Sequence, residues 1–173
     1  MKRTRILTEG GVVIALALIL HYFKVFHLLE GGSITAGSMI PLIIYAIRRG
    51  PKWGILAGCV FGVLQMLLDG YAFHPLSFLL DYVIAFGILG LAGINKKSNA
   101  SIMLCSAGAI VLRWASHVIS GVLVFASYAS EGQSVWEYSI IYNSSYMVPE
   151  LVITLVLLAL LLFTKAKKKI FEV

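Results

Sequence analysis

The sequence predicts an all-α integral membrane protein: six transmembrane helices in one compact bundle, with both termini cytoplasmic. Three observations carry this. Of the 173 residues, 60% are hydrophobic and only 13% are charged, about half the charged share of a soluble domain. The apolar residues gather in several runs near 20 residues long, the length that crosses a ~30 Å hydrocarbon core. The basic residues sit in short clusters between those runs. Lys2, Arg3, Arg5, Arg48, Arg49, Lys52, Lys96, Lys97, Lys165 and Lys167 to Lys169 all fall on one side of a six-span chain. The other side has Lys24 against Glu30, Asp69, Glu131 and Glu137. By the positive-inside rule the basic side faces the cytoplasm. The net charge of +6 is thus a topology signal and implies no nucleic acid partner.

The spans are expected at about residues 6–22, 34–47, 53–68, 75–94, 101–127 and 144–164, within one domain of residues 1–173. The first follows a basic start as a signal peptide would, but no small-x-small site with a polar mature region follows it. It holds Gly11 and Ala15 four apart, a spacing that lets another helix approach closely, either within the bundle or from a partner. Lys24 to Ser33 is expected to be an exterior loop, with His21 and His27 interfacial or solvated at its flanks. The second span is short and contains Pro41, a pattern that marks irregular backbone beside a cavity. The third carries Gly54, Gly58 and Gly62, a ridge for close packing. Asp69 to His74 reads as a tight turn, and Pro75 suits a first helical position. Tyr128 to Asn143 is the longest polar loop. Cys59 and Cys105 lie in apolar runs as small buried residues. No cysteine or histidine spacing indicates a metal site, and no cofactor is expected.

The fifth span is the informative one. In an otherwise uncharged run it carries Arg113 and His117, four apart and on one helix face. Ionisable residues inside a membrane helix face the bundle and a partner. At 1.5 Å per residue, Arg113 lies about 18 Å along the helix from Ser101, past the midplane. Asp81 lies about 9 Å below Pro75, and Glu150 about 9 Å below Ser144. Asp81, Glu150, Arg113 and His117 therefore meet in the outer half of the membrane. Gln65, Tyr82, Tyr138 and Asn143 border the same level. Convergent polar groups sealed by apolar sequence below point to a small-molecule site. A structural ion pair between Asp81 and Arg113 is the plainer alternative. There is no GxxxxGK[ST] phosphate loop, HExxH or GxSxG motif, so the residues favour binding over catalysis.

Three long segments, HPLSFLLDYVIAFGILGLAG (His74 to Gly93), LRWASHVISGVLVF (Leu112 to Phe125) and VWEYSIIYNSSYMVPE (Val135 to Glu150), carry a resemblance. The chain resembles the thiamin-specific S components of energy-coupling factor (ECF) transporters, the ThiT/YuaJ family, from Leu7-Thr8-Glu9 to the last span. The resemblance implies a six-helix subunit in the bacterial cell membrane that binds thiamin from outside. It further implies a transmembrane coupling subunit and two cytoplasmic ATPase subunits as partners, with helix one docking through Gly11 and Ala15. The family's ligand contacts map onto Asp81, Tyr82, Arg113, His117, Tyr138 and Asn143. The family pattern has Glu at Asp81, Lys at Arg113, Trp at Phe125 and another Trp near Gly32. Trp136 or Tyr71 would then supply a missing ring.

Thiamin suits these residues. Asp81 can pair with the permanent thiazolium charge or accept from the exocyclic amine, while Arg113 is expected to hold Asp81 in place. Tyr138, Phe125 and Trp136 can offer ring faces to a cationic heterocycle. Asn143 and His117 can complete hydrogen bonds, and Glu150 joins the set by depth. The alternatives are an S component for another vitamin or a pyrimidine precursor, and an intramembrane enzyme with Asp81 and His117 as acid and base.

Overall fold

The computed structural model describes residues 2–28, 32–69, 74–164 and 167–171. Glu30 and Gly31 of the expected exterior loop, Tyr71 of the tight turn and Lys165 of the basic tail lie outside the described residues. The described chain is a helical bundle: α1 Lys2–Tyr22, α2 Met39–Arg49, α3 Pro51–Asp69, α4 Pro75–Gly93, α5 Asn99–Val124 and α6 Val135–Phe163. A terminal α7, Lys167–Phe171, follows. Of these, α1, α3, α4, α5 and α6 are long and apolar enough to cross a membrane.

The second expected span departs from this. Residues expected in its first turns form a strand and a bend, and α2 is 11 residues long, about 16 Å at helical rise. It is the central helix. Met39 to Ile43 and Tyr45 to Ile47 are all buried, as expected of a helix that is apolar all round. Pro41 sits in its first turn, where a missing N–H breaks no helical bond. At the basic end, Glu9 of α1 pairs with Arg48 at 2.8 Å and also with Arg49, and Arg48 donates to the Ile170 carbonyl at 2.7 Å. Tyr45 donates to the Ile6 carbonyl at 2.9 Å. These bonds tie α1, α2 and α7 together.

At the other end, the expected loop is a β-hairpin. Strand β1, Lys24–His27, pairs antiparallel with β2, Ser33–Thr35. The register pairs Lys24 with Thr35 and Phe26 with Ile34, so Val25 is the extra residue of a bulge.

The glycine ridge of α3 packs against α4 as the pattern predicts. A Cβ on Gly58 would overlap the Phe86 carbonyl, and one on Gly62 would overlap the Tyr82 carbonyl. Close approach at Gly62 sets the position of the segment that carries Asp81 and Tyr82. Gly62→Ala is expected to cost about 1–3 kcal/mol through overpacking, read as a fall of several degrees in Tm in detergent. Gly11→Ala serves as the control, because nothing lies within 4 Å of a Cβ there. Equal Tm values for the two variants would refute the close-packing account.

Candidate ligand-binding site

Helix α4 is not a uniform α-helix. It starts on Pro75 with the His74 side chain accepting from the Leu76 N–H at 3.1 Å. From Phe78 to Ile84 it widens into π-helical turns, with Asp81 at their centre. Such widened turns concentrate at functional sites. Here α5 holds the widened segment: Ser116 Oγ donates to the Leu80 carbonyl at 2.6 Å. Next to Ser116, His117 Nδ1 lies 2.9 Å from Asp81 Oδ1, and one turn on Ser120 Oγ donates to Asp81 Oδ2 at 2.6 Å. Ser116, His117 and Ser120 share one face of α5. Both Asp81 oxygens are therefore engaged by α5, while the carboxylate keeps 19% side-chain exposure. The His117 Nε2 atom is buried without a partner.

Arg113 does not hold Asp81, contrary to expectation. One turn deeper on α5, its guanidinium lies over the Phe86 ring at 4.0 Å from the centroid, a cation–π contact. Its Nε has no partner, and no ion pair to Arg113 forms among the described residues. Arg113 opens instead onto a small polar cavity of about 30 Å³ that it shares with His21, Thr35, Gln65, Tyr146 and Glu150. That is room for about two waters. Glu150 Oε2 is also buried without a hydrogen-bond partner.

The expected single cluster is thus two levels, Asp81–His117–Ser120 and Arg113–Glu150–Gln65. Tyr146 stands between them: it lines the cavity and meets His117 edge to face at 6.1 Å. His21 is 4% exposed and 3.4 Å from Gln65, so it is neither interfacial nor solvated. Helix periodicity had no means of finding this, because the hairpin folds back over the end of α1.

Glu150 is also deeper than expected. Helix α6 starts at Val135, not near Ser144, which places Glu150 beside Pro149 at mid-helix. Its Oε1 accepts from both the Thr35 amide and the Thr35 hydroxyl, the latter at 2.8 Å. Thr35 Oγ1 in turn stands 2.9 Å from Ser38 Oγ. Gly32 N–H donates to Tyr142 Oη at 2.9 Å. The hairpin is therefore pinned to α6 at both ends of β2.

The early start of α6 also builds a tyrosine ladder. Tyr138 stacks on Tyr142 at 5.9 Å, and Tyr142 meets Tyr146 edge-on at 5.8 Å. Tyr142 and Tyr146 were not singled out in the sequence, although their spacing of four from Tyr138 was visible. Asn143 is turned inward. Its Nδ2 donates to the Ser139 carbonyl at 2.8 Å, and its Oδ1 accepts from Tyr146 Oη at 2.6 Å. Tyr82 is buried. Phe125 caps α5 against Tyr128 at 6.0 Å, and Trp136 is 56% exposed in the first turn of α6. Trp136 is thus helical, not part of a loop, and neither ring lines the cavity.

Breaking the Glu150 pin is expected to release the hairpin. Charge-assisted hydrogen bonds contribute about 1.5–3 kcal/mol. Glu150→Ala should speed hydrogen exchange across residues 32–38 roughly 10- to 100-fold. Unchanged exchange there would exclude the pin.

Among the described residues no cluster of three or more metal-ligating side chains occurs. The family described as "Thiamine transporter protein (Thia_YuaJ)" matches residues 7–170. The thiamine transporter ThiT of Bacillus subtilis is 35% identical over 174 residues, covering 91% of this chain and 90% of that protein. ThiT of Lacticaseibacillus paracasei is 31% identical over 179 residues, covering 93% and 88%. The solved structure of ThiT from Listeria monocytogenes superposes with a TM-score of 0.82 at 26% identity, covering 96% of this chain and 98% of that one. Sequence and fold agree over nearly the whole chain, and the family is one of transporters rather than enzymes. The chain belongs to the Thia_YuaJ family of thiamine transporter proteins.

Proposed function

We propose that this chain is the substrate-capturing S subunit of an ECF-type transporter. It takes thiamin from outside the bacterial cell membrane and hands it to a transmembrane coupling subunit driven by two cytoplasmic ATPases. The hairpin end faces outward and the basic end faces the cytoplasm, following the positive-inside rule.

The observation that carries this reading is the Asp81 carboxylate, fixed by His117 and Ser120. It lies one helix away from the tyrosine rings of α6. A fixed carboxylate near aromatic faces suits a flat, permanently cationic heterocycle. Asp81 pairs with the thiazolium, and Tyr138 and Tyr142 offer ring faces. His117 Nε2 supplies a further hydrogen bond. Arg113 and Glu150 line the deeper level, Tyr82 backs the site from α4, and Asn143 orients Tyr146. The cavity beside Arg113 holds about two waters, so in this reading the hairpin lifts for entry and settles on the ligand afterwards.

The test is purification in detergent followed by identification of the co-purifying ligand, with calorimetric titration of the stripped protein. Intact thiamin and a tight thiamin isotherm support the reading. A tight isotherm only for another vitamin or a pyrimidine precursor would replace thiamin as cargo. Turnover of an added substrate would overturn the transport reading itself.

A further inference from the structure

Among the described residues, the outward side of strand β1 is uncovered. Val25 is 68% exposed and Phe26 60%, next to Phe23 at 63% and Tyr22 at 64%. Regular strand alternation would turn one of two consecutive residues inward. The bulge between Lys24 and Phe26 breaks that alternation, and both apolar side chains point away from the bundle. The other strand faces the opposite way, with Ser33 and Thr35 lining the polar cavity. The hairpin is therefore two-faced: polar against the site, apolar outside. A two-stranded hairpin is marginal in water unless a face is packed, and among the described residues only the inner one meets protein.

The apolar strip is continuous with a membrane-facing surface. Val12, Leu16 and Ile19 are exposed along α1, a helix long and apolar enough to span the membrane, and Tyr22, Phe23, Val25 and Phe26 extend that line past its end. A run that passes from aliphatic to aromatic as it leaves the hydrocarbon matches the membrane–water interface. We infer that the hairpin is seated in the headgroup region of the adjacent leaflet, with Val25 and Phe26 as its lipid contacts. The hairpin is then restrained on two sides, by Glu150 and Tyr142 within and by lipid without. Accepting the proposed function, lifting it for ligand exchange means withdrawing Val25 and Phe26 from the interface, so the bilayer slows exchange.

The first test needs no ligand. In a Cys59→Ala, Cys105→Ala background, single cysteines at Phe26, Leu16 and Glu131 carry an environment-sensitive fluorophore. The protein is placed in vesicles of phosphatidylethanolamine and phosphatidylglycerol containing lipids with a nitroxide close to the headgroup. The label at residue 26 should lose roughly half its emission, as expected for a group at the headgroup boundary, while the label at exposed Glu131 should keep its own. Equal, weak quenching at 26 and 131 would overturn the inference. Shielding of residue 26 that grows with protein density and not with nitroxide content would also overturn it, because a second copy would then cover the strip.

The second test compares thiamin exchange by the parent and the Val25→Ser/Phe26→Ser variant. The variant should exchange faster in vesicles and at the parent's rate in detergent. Equal rates in vesicles would remove the link between seat and exchange. A protein that binds no thiamin but shows the lipid quenching leaves the seat standing and removes only the proposed cargo.

Discussion

Asp81→Asn is expected to weaken thiamin binding by about 30- to 5,000-fold, the 2–5 kcal/mol lost when one member of a paired, partly desolvated charge is truncated. The carboxylate has two jobs. One oxygen meets His117 and the other accepts from Ser120, which fixes its plane against α5. The charge itself is the counter-ion for a ligand whose cation cannot be removed by deprotonation. An amide retains one acceptor and turns an NH2 donor toward either His117 or Ser120. The hydroxyl can adapt by accepting, but the ligand loses its anion in either arrangement. Asp81→Glu retains the charge with a longer reach and should recover most of the affinity. Calorimetry on the folded variants checks both, with Tm as the control for folding. A thiamin isotherm for Asp81→Asn within a few-fold of the parent would show that the anion is elsewhere, and Glu150 would be the next candidate.

The contrast between Asp81 and Arg113 shows how far the sequence reaches. Hydropathy located five of the helices because burial in lipid demands long apolar runs with few charges. Helical rise then placed the intramembrane charges within about a turn of one another. It could not say which charge faces which. Arg113 was expected to meet Asp81, and it lies over Phe86 instead. The widened turns of α4 present Asp81 at the level of His117 and Ser120. Residues 78–84 contain neither glycine nor proline, so the widening has no local signature. It belongs to the packing of α4 between α3 and α5.

The start of α6 was missed for a related reason. Residues 135–143 are polar enough to read as a loop outside the membrane, yet they continue the helix and carry the tyrosine ladder. The hairpin was missed because its strands are four and three residues long and their alternation is interrupted by the bulge. What remained legible was the chemistry. Asp81, Arg113, His117 and Glu150 all fall in the two polar levels, where burying ionisable groups in a membrane helix is most readily explained by a site.

Replacing Gly11 and Ala15 together with Leu is expected to abolish thiamin uptake in cells that also make the ECF module, while leaving thiamin binding to the purified chain intact. Both residues are exposed on α1, and nothing lies within 4 Å of a Cβ at Gly11. At that position the described bundle makes no close contact, which leaves Gly11 open to a partner helix. Both positions face away from the core, and leucine improves helix propensity at Gly11. A flat strip of small side chains on a spanning helix permits backbone-to-backbone approach by another membrane helix, and two leucines remove that approach.

Under the proposed function, uptake depends on such a partner to supply the work. The sequence carries no GxxxxGK[ST] phosphate loop. Glu9, the acidic residue nearest the basic end of α1, is engaged by Arg48 and Arg49. The polar levels lie toward the hairpin, with the apolar core around α2 between them and the basic end. Binding without work can fill the site but cannot concentrate thiamin. The checks are calorimetry on the purified double variant and radiolabelled thiamin uptake in cells. Full uptake by the double variant would show that the partner docks elsewhere. Accumulation against a gradient by vesicles containing this chain alone would mean that no partner is needed.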